Sequence, residues 1–149
     1  MTRCVSRIIA GSLILTIACV VGGCVSASKE VKPSPQELLN GTSWQLGKIG
    51  QQPVLEGTQP TLQFAQPGQV AGNGSCNRFS GTVTLSGSTI TFGPLAATRM
   101  ACADPINAQE TQYFYALSTA QRFLIQGNSL QIYSSTMDLP LLYIRMTPN

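Results

Sequence analysis

The sequence predicts one small α+β domain, in which a strongly curved, half-barrel-like antiparallel sheet of about seven or eight strands packs on a single α-helix. Three observations lead to this fold class. After residue 40, most of the chain consists of short segments of alternating apolar and polar residues, separated by Gly, Pro, Asn or Ser. One segment instead repeats its apolar residues at helical spacing. Residues 38–149 suffice for one hydrophobic core and are too few for two.

Five of the predicted strands precede the helix. They are the segments 41–49, 60–65, 70–72, 78–85 and 88–92. Trp44 in the first of them is expected in the core. The turns Gln66-Pro67-Gly68 and Ser86-Gly87 suit tight reversals, and Gly81 is expected at a bulge or a close backbone approach. Residues 94–100 are expected to be extended and to lead into a loop around Cys102.

The helix is predicted over residues 107 to about 121. Asn107 and Glu110 have the three-residue spacing of a capping box, while Asp104-Pro105 offers an alternative, earlier start. An apolar stripe on one side of the helix is expected to dock on the sheet. Its members are Tyr113, Phe114, Ala116, Leu117 and Ala120.

Three further strands complete the sheet. Segments 122–126 and 129–133 are joined by Gly127-Asn128, a pair that suits a two-residue hairpin turn. The last strand is predicted over residues 139–146, and Pro140 is tolerated there at a strand start or edge.

The N-terminal segment 1–23 has the layout of a secretory signal. Arg3 and Arg7 supply a positive start, and an apolar run follows over residues 8–21. That run is too short to span a bilayer, which needs ~20 apolar residues. It ends in Val21-Gly22-Gly23-Cys24, which resembles the bacterial lipobox. A cleaved soluble protein and a retained signal anchor are the alternatives.

The lipobox-like ending predicts that Cys24 is lipidated and becomes the first residue of the mature chain. Its sulfur would carry a diacylglycerol thioether and its amino group an acyl chain such as palmitate, and together these chains hold a protein at a membrane. Residues 24–37 are then a lipidated flexible tether, and residues 38–149 the domain. Val25 and Ser26 include no Asp of the inner-membrane retention type, which favours an outer membrane, with the protein facing the periplasm.

Charge and composition exclude several functions. Arg3 and Arg7 leave with the signal peptide, so seven of nine cations remain against six anions, and the seven are scattered. Nucleic-acid binding needs a basic stripe or patch, so no nucleic-acid partner is expected. The chain has no histidine. It therefore lacks both a Cys-His catalytic pair and a complete zinc ligand set, and no metal or cofactor is expected.

The cysteines that remain in the mature domain are Cys76 and Cys102, because Cys4 and Cys19 leave with the signal and Cys24 is lipidated. In an exported protein such a pair indicates a disulfide. The alternative is that Cys76 is a reactive thiol, since Arg78 beside it would lower a thiol pKa.

Several motifs, taken in order, resemble the META domain family of HslJ-like bacterial lipoproteins. They are Trp44-Gln45-Leu46, Pro60-x-Leu62-x-Phe64, the run GNGSCNRFSG at 72–81, the run TRMAC at 98–102, Gln109-Glu110 and Phe114. The resemblance covers residues 38–146. The family more often has glycine where this chain has Ser75.

The resemblance implies a small envelope or secreted protein linked to heat shock, antibiotic tolerance, secretion or motility. It implies a half-open β-structure around a helix, similar to secretion pilot lipoproteins. The family offers no established catalytic residue set, so no catalytic residue is assigned and the protein is not expected to be an enzyme.

Three residues are candidates for ligand binding: Asn77, Arg78 and Arg99. If Cys76 and Cys102 are bonded, the two arginines become neighbours and could bind an anion or a carboxylate. Alternatively they are solvated or paired with Asp104 and Glu110, and Asn77 is a turn residue that satisfies backbone groups.

These observations favour a lipid-anchored, non-enzymatic envelope module that binds another envelope protein or an apolar ligand in its curved sheet and supports envelope integrity under heat or antibiotic stress. The alternatives are a hydrolase inhibitor that uses the disulfide loop, a secretion-pilot-like lipoprotein that binds lipid or peptide, and an enzyme that uses Cys76.

Overall fold

Eight antiparallel strands form a barrel, and a helix lies at each end of it. The computed structural model describes residues 33–147. The elements are α1 (Pro35–Leu39), β1 (Thr42–Ile49), β2 (Gln52–Pro53), β3 (Thr61–Gln66), β4 (Gln69–Asn73), β5 (Arg78–Ser86), β6 (Thr89–Phe92), β7 (Ala96–Ala97), α2 (Ile106–Ser118), β8 (Ala120–Gln126), β9 (Ser129–Ser134) and β10 (Leu141–Arg145).

The sheet closes because the first and last strands pair with each other. Going around the barrel, the strand order is β10-β9-β8-β6-β5-β4-β3-β1, and β10 then pairs with β1 through registers such as Trp44↔Arg145. The predicted α+β class and curved antiparallel sheet are confirmed. The sheet goes beyond the predicted half-barrel, because β1 and β10, the two strands that a half-barrel would leave as open edges, pair with each other.

The junction between β6 and β8 is the thinnest in the barrel. It consists of the single register pair Thr89↔Arg122, supported by the Phe123 N–H donating to the Ser88 carbonyl at 2.9 Å. After β6, residues Pro94 and Leu95 pass directly over Gly81. A Cβ added to Gly81 would lie 2.7 Å from Leu95 Cδ2. The close backbone approach predicted at Gly81 is therefore present.

Side chains fill the barrel. Trp44, Tyr113 and Tyr143 are the largest fully buried residues, which confirms Trp44 as a core residue. The Tyr143 hydroxyl donates to the Tyr113 hydroxyl at 3.2 Å, and the Phe79 ring meets the Tyr113 ring edge-on at 6.1 Å. Burial raises the pKa of both tyrosines, because a phenolate would lose its hydration there. Tyr113 belongs to α2, so the predicted apolar stripe docks on the sheet through Tyr113, Ala116 and Leu117. The predicted helix end near residue 121 is wrong, because α2 ends at Ser118 and Ala120 begins β8.

One end of the barrel, which we call the α1 end, consists of α1 and the hairpin turns 67–68, 87–88 and 127–128. Ser34 and Glu37 form a capping box at the start of α1, and Gln36 donates to the Leu85 carbonyl. The Ser34 backbone N–H, followed by its hydroxyl, lowers the pKa of the Glu37 carboxyl. The Arg145 guanidinium donates to the Leu38 carbonyl at 3.3 Å.

Helix α1 is absent from the sequence prediction and begins inside the segment 24–37 predicted as a tether. The sequence Ser34-Pro35-Gln36-Glu37 contains a complete capping box with proline at the first helical position, which favours a helix start. Residues 24–32 of that tether, including Cys24, and the signal segment 1–23 lie outside the described residues.

The opposite end, the α2 end, consists of α2, the loop 73–77 and the loops 54–60 and 135–140. Helix α2 begins after Pro105, so the alternative start is correct and the predicted Asn107 cap is wrong. Because the helix begins one residue before Asn107, Glu110 lies beyond the capping position and faces inward. Among the described residues, no helix is long and apolar enough to cross a membrane.

Candidate functional site

Polar residues from four segments meet at the α2 end. They come from the loop 73–77, from residues 98–100, from the first turns of α2 and from the loop 55–58. Gly74 and Thr58 are among the buried members. The cluster contains the predicted candidate Asn77 and the cysteine pair, so it is the place to look for a site.

Glu110 lies at the centre of this cluster and is only 5% exposed. Its Oε2 accepts hydrogen bonds from the Cys76 N–H at 3.0 Å and the Asn77 N–H at 2.6 Å. Its Oε1 accepts from the Asn77 Nδ2 at 2.6 Å. Three donors therefore solvate the buried carboxylate in place of water, and its oxygens are engaged in holding the loop.

Asn77 bridges Glu110 to the segment that follows β7. While its amide nitrogen donates to Glu110, its Oδ1 accepts from the Thr98 hydroxyl and from the Met100 N–H, each at 2.8 Å. The side chain is buried with both ends occupied. Asn77 is thus a loop-fixing residue, as one of the two sequence interpretations held, and it has no free group for a ligand.

Gln109, which the sequence identifies only as part of the Gln109-Glu110 motif and not as a site residue, connects the start of α2 to the loops on the other side of the cluster. Its Nε2 donates to the Ser75 hydroxyl at 2.8 Å and the Thr58 hydroxyl at 3.0 Å. Its Oε1 accepts from the Leu55 N–H at 2.7 Å. The sequence signal for this role is that Gln109 is adjacent to Glu110, because two neighbouring polar side chains at a helix start can each bind a different loop.

The backbone of the loop 73–77 is held in conformations that suit glycine. A Cβ on Gly74 would lie 2.6 Å from Phe114 Cζ and 2.7 Å from Glu110 Oε2, so no side chain fits there. Ser75 has a φ of 117°, and its N–H donates to Asn73 Oδ1 at 2.8 Å. Glycine adopts a positive φ without strain, so glycine would suit position 75 better than serine does.

The structure joins Cys76 to Cys102 by a disulfide, with their Cα atoms 6.1 Å apart. Cys76 is buried, and its backbone N–H is bound to Glu110. With the bond formed, this loop has no thiolate, so the reactive-thiol alternative loses its nucleophile.

Arg78 and Arg99 are both exposed. Their segments are adjacent, because the Thr98 N–H donates to the Arg78 carbonyl at 3.0 Å and the Arg78 N–H to the Thr98 hydroxyl at 3.2 Å. Glu110, one of the two carboxylates weighed as their partners, is surrounded by loop donors instead. The two arginines stay surface candidates, apart from the buried cluster.

As a whole, the cluster satisfies its own polar groups. Within residues 33–147, no buried side-chain nitrogen or oxygen lacks a hydrogen-bond partner. Nor do three or more acidic or cysteine side chains gather there around a point that could hold a metal ion. An active site needs groups that are free to meet a substrate, whereas these groups hold one another.

An apolar groove of about 550 Å³ lies beside the thin β6–β8 junction. It is lined by Phe92, Gly93, Pro94, Leu95, Phe114, Tyr115 and Ser118. Tyr115 is 59% exposed, although it is aromatic. Beyond Thr89, no register pair joins β6 to β8 in the described chain, so this edge of β6 faces the groove. The sequence reasoning missed this groove, because it depends on where α2 lies against β6.

Comparisons with known proteins agree with one another. The META domain family model matches residues 37–143. The chain is 33% identical over 127 residues to the heat shock protein HslJ of Escherichia coli strain K12. This alignment covers 84% of this chain and 89% of that protein. An NMR structure of a protein from Burkholderia xenovorans is similar, with 28% identity, a TM-score of 0.63, and coverage of 83% of this chain and 97% of that one. A second NMR structure has 28% identity, a TM-score of 0.61 and coverage of 73% and 92%.

Proposed function

The chain belongs to the META domain family, and from this premise we propose that it is a non-catalytic, lipid-anchored protein of the bacterial cell envelope that supports envelope integrity under heat or antibiotic stress. One observation carries the non-catalytic part: the buried polar residues Glu110, Gln109 and Asn77 bind loop atoms with all their polar groups. Such a cluster fixes a shape and leaves no group for chemistry.

The stress role is supported by a relative. A protein 33% identical to this chain is named a heat shock protein, and its match extends over most of both chains. A domain with a disulfide and a filled core suits exposure to conditions that unfold proteins. The proposed envelope location depends on the lipobox-like residues ending at Cys24.

A complementation experiment tests the role and the anchor together. A strain lacking the protein would receive the wild type, Cys24→Ala or Cys76→Ala/Cys102→Ala, and its survival after heat or antibiotic challenge would be counted. We expect rescue by the wild type alone. Membrane fractionation and the mass of the N-terminal peptide would report acylation at Cys24. Full rescue by an unacylated, soluble Cys24→Ala protein would contradict the proposed anchor.

The groove beside α2 is the favoured surface for an envelope partner. Its walls are apolar, Tyr115 projects from one side, and the edge of β6 offers backbone groups on the other. An extended, apolar segment of a partner protein fits this combination, because backbone hydrogen bonds and side-chain contacts are then available together.

A photocrosslinking amino acid at position 115 would test this surface in cells, with one at the equally exposed Met100 as the matched control. We expect a discrete crosslinked product from position 115 that disappears when Ser118→Trp fills the groove. Identical products from both positions would mean that the groove is not the binding surface.

The inhibitor alternative is disfavoured by burial. A loop that inserts into a hydrolase cleft must protrude, but Gly74, Cys76 and Asn77 on one side of the disulfide are buried against α2. Only the segment 99–105 on the other side is exposed enough to enter a cleft. Assays of lysozymes and proteases with the purified domain should accordingly show no inhibition.

A further inference from the structure

We propose that the α1 end of the barrel rests on the bilayer surface, with Leu38, Ile144 and Met146 in contact with lipid, so that the α2 end points away from the membrane. This inference rests on the proposed lipid anchor at Cys24 and adds an orientation and a lipid-contacting surface to it.

The three apolar residues belong to elements that meet at the α1 end. Leu38 belongs to α1, Ile144 and Met146 lie at the end of β10, and the Arg145 guanidinium links the two elements by donating to the Leu38 carbonyl at 3.3 Å. The Met146 N–H donates to the Ser43 carbonyl at 2.8 Å, so the strand geometry of β10 continues to Met146. Residues two apart on a strand share a face, so Ile144 and Met146 point the same way.

All three are exposed well beyond what their hydrophobicity favours. The exposed fractions are 40% for Leu38, 54% for Ile144 and 38% for Met146. Contact with the apolar part of a lipid surface would remove this area from water. A shallow interfacial contact of this kind needs only a few apolar side chains when a lipid chain already holds the protein at the membrane.

The chain enters the described structure at this same end. Residues 24–32 join Cys24 to Pro33, which lies one residue before the Ser34 cap of α1. Fully extended, these residues span roughly 30 Å at most. An acyl group on Cys24 therefore keeps the start of α1 within roughly this distance of the bilayer, whereas no such limit acts directly on the α2 end. The chain path thus favours lipid over a protein partner as the occupant of this surface.

Charge at this end argues for an apolar contact. The negatively charged Glu37 is exposed beside Leu38. The positively charged Arg145 is only partly exposed, because its guanidinium lies 4.6 Å above the centre of the Trp44 ring. An anionic headgroup would find little net attraction there. The contact should therefore persist at high salt, where attraction between exposed charges is screened.

Site-directed spin labelling of the full-length, acylated protein in phosphatidylethanolamine–phosphatidylglycerol vesicles would test the orientation. Nitroxides would be placed at Leu38→Cys and Ile144→Cys, with Met100→Cys and Tyr115→Cys as matched controls, since both of these exposed residues belong to the α2 end. Compared with the unacylated Cys24→Ala protein in buffer, we expect labels 38 and 144 of the acylated protein in vesicles to lose collisions with a water-soluble nickel chelate and gain them with oxygen. Labels 100 and 115 should not change, and high salt should leave the pattern intact.

Three results would overturn the inference in distinguishable ways. Equal nickel accessibility at all four labels, with the Cys24 acyl mass verified, would refute the orientation alone. Shielding of labels 38 and 144 already in the unacylated Cys24→Ala protein in buffer would mean that a second copy or another protein covers the surface. An unmodified Cys24 in protein isolated from envelopes would refute the anchor and, with it, this inference.

Discussion

At the α2 end a disulfide, the buried Glu110 carboxylate and two buried amides hold the chain in irregular conformations, whereas at the α1 end a five-residue helix and one guanidinium–carbonyl hydrogen bond close the barrel. The difference follows from what the backbone does. Two-residue hairpin turns at the α1 end satisfy their own backbone groups, while the loop 73–77 leaves the sheet with N–H groups that need partners.

The two ends of the barrel differ in how strongly their stability depends on single residues. Buried polar groups are costly when a partner is lost, so the α2 end depends on a few particular side chains. At the α1 end Leu39 is buried in the core, while the polar contacts are exposed or partly buried and individually weak. Substitutions at the two ends should therefore differ in effect by several kcal/mol.

The largest effect is expected for Glu110→Ala. The substitution leaves the N–H groups of Cys76 and Asn77 buried without their acceptor, so the free energy of unfolding should fall by about 4 kcal/mol. Urea unfolding followed by circular dichroism would measure it. The exposed Glu56→Ala is the control and should change stability little. Equal losses for both would show that the carboxylate is not the loop's support.

Removal of the disulfide comes next. Cys76→Ala/Cys102→Ala opens a loop between cysteines 26 residues apart, and the free energy of unfolding should fall by about 3.5 kcal/mol in the chain-entropy description. Calorimetry in oxidising buffer gives the shift in melting temperature. An unchanged value would mean that the pair contributes no constraint in solution.

High pH should produce the third effect. Burial raises the pKa of Tyr113 and Tyr143 above the ordinary value of 10. Their contribution is complete below pH 10 and is lost as pH rises further, because the unfolded chain then releases protons that the folded chain retains. The slope is about 1.4 kcal/mol per pH unit for each tyrosine.

Urea midpoints measured across the alkaline range would give this slope. Tyr143→Phe should roughly halve it, while the exposed Tyr115→Phe should leave it unchanged. Identical slopes for the wild type and Tyr143→Phe would contradict the assigned cause.

The smallest effect is expected at the α1 end. Ser34→Ala removes the hydroxyl that caps a short, exposed helix, so stability should fall by about 0.5–1 kcal/mol. Hydrogen exchange would show faster exchange in residues 35–40 and unchanged protection in α2. A loss as large as that of Glu110→Ala would erase the contrast between the two ends.

Much of the strand pattern could be predicted from sequence because the turns identify themselves. Gly68, Gly87 and Gly127 all have positive φ in tight turns between paired strands, which matches their predicted positions. Closure could not be predicted, because the pairing of β1 with β10 depends on the summed curvature of eight strands and leaves no local signal.

A capping residue followed three positions later by Glu occurs at both helix starts, but it forms a capping box at only one of them. Ser34 and Glu37 form a true capping box, whereas Asn107 and Glu110 do not. Pro105 starts α2 earlier, so Glu110 lies a turn inside the helix and binds a loop more than thirty residues away in sequence. A local pattern cannot reveal that long-range partner, and the central residue of the cluster was therefore assigned a capping role.

Pairing of β1 with β10 also sets the order in which the chain can fold. Trp44 meets Arg145 about one hundred residues later in the sequence, so the barrel stays open until its last strand is available. Cys76, Cys102 and Glu110 all precede β8 in the chain. The polar cluster around Glu110 can therefore assemble and its disulfide can form while the C-terminal strands are still unfolded, and we expect closure of the barrel to be the last and slowest step.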